Sequence, residues 1–146
     1  MPRLCDSTTV DRTVEQTSKG IERFIASLKG KDGVARLRLR VPGDGPVLGI
    51  AIDREVRIEV QPAPGAGGPM IVVWRPEGTV ALPTFEGTLV ARSDGDPRLT
   101  RLDLDGVYTP PFGVAGQIFD AAIGKRIAQS TAREFLRDLK AAIEMP

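Results

Sequence analysis

The chain has 146 residues, 41% of them hydrophobic and 5% aromatic, and its 20 basic and 19 acidic residues leave a net charge of +1. That length suits one domain able to bury about two thirds of its unfolded surface, and so balanced a charge argues against a nucleic-acid or anionic-membrane binder. With no histidine and one cysteine, the chain lacks the commonest general base, the Ser-His and Cys-His nucleophile pairs, histidine or thiolate metal sites and iron–sulfur clusters, so no cofactor is expected.

Any catalysis would therefore rest on carboxylates, Lys, Arg, Tyr108 or ordered water. The apolar runs at residues 47–52 and 70–74 fall far short of the roughly 20 residues a membrane span needs. The N-terminus has no basic segment leading into an apolar stretch. No membrane insertion is expected, and Cys5, which has no internal partner, fits a reduced, cytoplasmic protein.

In chain order, residues 1–10 carry no period and are expected to fray. Val14, Ile21, Phe24, Ile25 and Leu28 then recur at helical spacing, which predicts a helix over 12–29 with Asp11 or Thr13 as N-cap and Gly30 as the stop. Gly20 weakens its middle. Residues 34–109 read as an antiparallel sheet of about six strands. VARLRLRV alternates, with Leu37, Leu39 and Val41 on one face and Arg36, Arg38 and Arg40 on the other. Val56, Ile58 and Val60 share the inner face of the next strand. Its polar face carries Asp53, Glu55 and Glu59, which suits cross-strand pairing with the arginines better than an anion-binding row.

The glycines of PAPGAGGP, residues 62–69, lack the spacing of a phosphate loop. Residues 70–75 are apolar on both faces, as in a central strand. Phe85, Gly87, Leu89 and Ala91 share one face of the following strand. Leu102, Leu104, Gly106 and Tyr108 share one face of the last, which spans 98–109. Gly87 and Gly106 thus fall on core faces, where a strand glycine marks a bend or the close approach of a helix or ligand.

Pro110 and Pro111 end the sheet. From 113 to 143 the apolar stripe of Ile118, Ala122, Ile127, Thr131, Phe135, Leu139 and Ile143 predicts one long helix, roughly 45 Å of rod with Gly124 in its middle.

The order of helix, antiparallel strands and long C-terminal helix, with P-x-F-x-G-x-L from Pro83 to Leu89 and L-x-L-x-G-x-Y-x-P-P-F-G from Leu102 to Gly113, resembles the START-like superfamily, also called SRPBCC. Its members include birch-pollen-allergen-type proteins, polyketide cyclases and coenzyme Q-binding proteins. The resemblance implies an α+β helix-grip fold, a curved antiparallel sheet wrapped around the C-terminal helix with an apolar cavity between them. It also implies an opening strand, for which RLCDSTTV is a poor match.

The cavity walls expected from this resemblance are Trp74, Phe85, Leu89, Leu102, Leu104, Tyr108, Phe112, Ile118, Phe119 and Ile127, with Arg75 or Arg126 as a polar anchor. The expected partner is a hydrophobic small molecule such as a lipid, an isoprenoid or an aromatic polyketide. A second reading is a cyclase, dehydratase or hydrolase using Tyr108, Glu86 or Asp120 in the same cavity. A third is a non-catalytic stress-type or interaction protein, a homodimer through residues 47–52 or the N-terminal helix.

Overall fold

A computed structural model describes residues 3–41, 52–61, 69–77, 84–109 and 121–145. Six strands, β1 (Arg3–Val10), β2 (Arg36–Val41), β3 (Ile52–Gln61), β4 (Met70–Pro76), β5 (Thr84–Asp94) and β6 (Asp96–Thr109), form one antiparallel sheet. The order across it is β1-β6-β5-β4-β3-β2. The helix α1 (Val14–Leu28) follows β1, and α2 (Ala121–Glu144) closes the chain. Both edge strands, β1 and β2, touch α2, so the sheet curls around that helix. This is the helix-grip arrangement.

Residues 3–10 do not fray. They pair with β6 over eight positions, from Arg3 opposite Val107 to Val10 opposite Thr100. Leu4 and Val10 are buried beneath the helices. The Lys140 ammonium donates to the Thr9 carbonyl and so meets one of the backbone acceptors that an edge strand leaves unpaired. On the outer face, Arg3 and the Cys5 thiol both donate to the Asp105 carboxylate. β1 is held by these long-range partners, none of which the local pattern reveals.

α1 begins at Thr13, which caps it in a capping box. Its hydroxyl accepts the Gln16 N–H while the Gln16 side chain accepts the Thr13 N–H, satisfying two donors that helix geometry leaves free. The helix ends at Leu28, with Lys29 as C-cap in extended conformation. Gly20 is not merely a weak point. A Cβ there would fall 2.9 Å from Ile143 Cγ1, so its bareness is what seats the end of α2 against α1. α2 is described from Ala121, about 36 Å of helix; residues 113–120, expected to open it, lie outside the described residues.

Among the described side chains the alternation of the sheet holds. Leu37, Val56, Ile58, Met70, Val72, Trp74, Phe85, Leu89, Ala91, Leu102, Leu104 and Tyr108 are buried on its inner face. β4 lies between β3 and β5 with its other face open enough to leave Ile71 46% exposed. The arginines of β2 stand opposite acidic residues at two register positions, as the charge pattern suggests, Arg38 opposite Glu55 and Arg40 opposite Asp53. Arg36 instead faces Arg57 and turns to Asp32 and Glu77, at 2.9 and 2.6 Å.

Four carboxylates are held below their ordinary values by such partners. The Arg36 guanidinium acts on Asp32, Arg3 on Asp105, and Lys140 with the Asp11 N–H on Glu144. Burial pushes Asp103 up, but hydrogen bonds from Arg92 and Arg101 outweigh it. A carboxylate whose folded pKa is depressed stabilises the fold above its unfolded value, and that contribution is lost as pH falls through the folded one. The Cys5 thiol is raised by its hydrogen bond to Asp105, so its contribution is lost only on the alkaline side of 9.0. With no histidine, urea unfolding midpoints should be level from about pH 5 to about pH 8 and fall steadily below about pH 4. A midpoint that drops between pH 7 and 5 contradicts this.

Candidate functional site

The register lines up one inner-face row across four strands: Ile58 of β3 faces Trp74 of β4, Trp74 faces Phe85 of β5, and Phe85 faces Tyr108 of β6. Alternation brings these residues to one face, and strand pairing brings them to one level. All four are at least 96% buried. Trp74 and Phe85 stack with ring centroids 4.4 Å apart at 24°. Phe135 of α2 meets Trp74 from above at 5.5 Å and 52°. The row lies at the end of the sheet where β4 stops, β5 starts and β6 gives way to the connection into α2.

One row further along, Gly87 and Gly106 face each other. A Cβ on Gly87 would lie 2.3 Å from the Asp105 carbonyl oxygen and 2.7 Å from Phe85 Cζ. On Gly106 it would lie 2.3 Å from the Glu86 carbonyl oxygen and 2.8 Å from the same ring atom. The group that approaches these glycines is therefore the Phe85 ring, together with the partner strand's own backbone. Beyond the pair, Leu89 faces both Met70 and Leu104, and Ala91 faces Leu102.

Of the expected walls, Trp74, Phe85, Leu89, Leu102, Leu104, Tyr108 and Ile127 are buried in one continuous apolar core. Phe112, Ile118 and Phe119 lie outside the described residues, as does Asp120. The expected anchors do not reach this core: Arg75 and Arg126 are exposed, Arg75 on the outer face opposite Arg57. Glu86 is likewise exposed, opposite Val73 and Val107 on the outer face. Residues 47–51 are also outside the description.

Two further inward-facing residues lie outside the expected walls. Phe135 is on the apolar stripe of α2 that the sequence assigns to the core, and its contact with Trp74 adds it to the row. Asp6 takes an inner-face position opposite Leu104, half-buried at the β1 edge, with its carboxylate accepting the Ser7 N–H. It becomes visible once residues 3–10 are a strand.

The polar content of the row is small and specific. Among the described residues the Trp74 indole Nε1 is buried with no hydrogen-bond partner. A buried donor without an acceptor costs about 1–3 kcal/mol. A separate groove of about 600 Å³ runs between α1 and the end of α2, lined by Arg12, Lys19, Arg23, Ile143 and Met145. Its cations are largely engaged: Arg12 donates to the Asp11 and Glu144 carbonyls, and Lys19 pairs with Glu15. Among the described residues no cluster of three or more Cys, Asp or Glu side chains could hold a metal ion, and no helix is long and apolar enough to cross a membrane.

No family model matches the chain, and no curated protein matches it in sequence. Solved structures do match its fold. A protein of Thermus thermophilus aligns with a TM-score of 0.55 at 16% identity over 97% of each chain. The Zhui aromatase/cyclase of Streptomyces sp. R1128 aligns at 0.53 and 16% identity, over 97% of this chain and 91% of that one. A START superfamily protein of Mycobacterium smegmatis aligns at 0.51 and 17% identity, over 97% and 94%. The chain has the START-like, or SRPBCC, helix-grip fold. At these identities the likeness is one of fold.

Proposed function

We propose that the chain is a single START-like domain that binds a hydrophobic small molecule, a lipid, an isoprenoid or an aromatic polyketide, between the inner face of the sheet and α2. The observation that carries this reading is the aromatic row Trp74–Phe85–Tyr108 with Phe135 over it, an apolar surface gripped between sheet and helix. Ligand sites are largely apolar with a few placed polar groups. The fold is one associated with small hydrophobic ligands, and one of the neighbours is an aromatase/cyclase. Because Trp74 packs directly on both Phe85 and Phe135, the ligand lies beside this cluster, with Leu89, Leu102, Leu104 and Ile127 extending the wall.

Binding without turnover is preferred over a cyclase, dehydratase or hydrolase. Among the described residues, the inner face offers Tyr108 and Asp6 as acid or base. They stand about four residues apart along β6, roughly 13 Å, and proton transfer needs a group within hydrogen-bond reach of the reacting atom.

Native mass spectrometry of freshly purified protein should show a bound apolar species, or uptake of one on titration with lipids and aromatic compounds. Ligand at a hundredfold excess over Kd should stabilise the native state by about 2.7 kcal/mol. If no adduct forms and no apolar compound raises Tm, the binding reading fails.

A further inference from the structure

We propose that the ligand is a neutral molecule carrying a carbonyl-type oxygen, a ketone, quinone or lactone, and that this oxygen accepts the indole N–H of Trp74. The inference rests on the binding reading above and adds the chemistry the ligand must show. Trp74 is 1% exposed, and among the described residues its Nε1 has no acceptor. Among the described residues the indole's inner-face neighbours are apolar: Ile58 and Phe85 face it across the sheet, Val72 stands two residues along the same face, and Phe135 packs on it from α2. Phe85 already stacks on the ring and Phe135 tilts against it. What the protein leaves unmatched is the polar edge of the indole, so a ligand meets Trp74 in the ring plane through an acceptor and not by stacking.

The acceptor is neutral for a physical reason. A carboxylate or phosphate set against one uncharged donor among carbon walls would lose its hydration without replacement, and the arginines expected as anchors, Arg75 and Arg126, are exposed and away from the core. A carbonyl oxygen loses little by taking a single donor.

The test compares 9-fluorenone with fluorene, which share one flat frame and differ in the carbonyl, and adds decanoate as a charged probe. Trp74 is the chain's single tryptophan, so its indole ¹H–¹⁵N resonance is unambiguous. Fluorenone should bind the full chain about tenfold more tightly than fluorene, and it alone should move the indole proton resonance downfield. Trp74→Phe should bring fluorenone down to the affinity of fluorene and leave fluorene unchanged. If the variant does not fold, the wild-type resonance decides the matter by itself.

Equal binding of the two compounds with an unmoved indole resonance overturns this inference and leaves the binding site standing. Failure of both compounds to bind overturns the inference and counts against the site as well. Decanoate binding as tightly as fluorenone overturns the requirement for a neutral ligand.

Discussion

Phe135→Ala is expected to cost about 3 to 5 kcal/mol of stability, the range for truncating a fully buried aromatic ring. Phe135 is 0% exposed and stands on the inner stripe of α2 beside Ala128 and Ala132. With alanines on the turns before it, its ring spans the gap between helix and sheet and rests on Trp74. Removing it leaves a void against Trp74, which is 1% exposed and already stacked on Phe85, so little can move in to fill it. The strands cannot follow the helix inward, because β1 and β2 already touch it at both edges. Urea unfolding followed by the fluorescence of Trp74 would measure the loss at the point where it arises. A cost below about 1 kcal/mol would mean that the ring is not the wedge between helix and sheet.

The legible parts of this fold are those with three or more apolar residues in unbroken or near-unbroken alternation. Val56, Ile58 and Val60 declare the inner face of β3, and Leu102, Leu104 and Tyr108 that of β6, from alternation alone. β1 defeats the same reading because it puts Asp6 and Thr8 into inward register between Leu4 and Val10. Its strand character comes from pairing with β6 and from Lys140, partners that lie far along the chain. The candidate site divides along the same line. That Trp74, Phe85 and Tyr108 face inward is a local fact. That they stand side by side at one level depends on the β4–β5 and β5–β6 registers, which a one-residue slip would invert. Gly87 and Gly106 are each visible in the sequence as core-face glycines, yet only the register makes them a facing pair, and only the rotamer of Phe85 shows what covers them.

Gly106→Ala should be as costly as losing a core ring, about 3 kcal/mol or more, at the upper end of what overpacking does. Two kinds of neighbour block the new methyl. Phe85 Cζ, 2.8 Å away, is the far end of a side chain and yields more readily than backbone. The Glu86 carbonyl oxygen at 2.3 Å and the Gly87 Cα at 2.6 Å belong to the partner strand, and they recede only if β5 and β6 part at the centre of their ladder. Pairing Gly106→Ala with Phe85→Leu therefore separates the causes: recovery of less than about 1 kcal/mol is expected, because the backbone clash persists. Full recovery would instead make the ring the obstacle, and a Gly106→Ala variant within about 1 kcal/mol of the parent would mean that the strands do not close so tightly here. The consequence reaches the site, since Phe85 stacks on Trp74 and overlies the glycine pair at once. A side chain at 106 pushes that ring off its seat, so the emission of Trp74 in the folded variant should change along with its stability. The bare backbone at 87 and 106 thus sets where the aromatic row can stand.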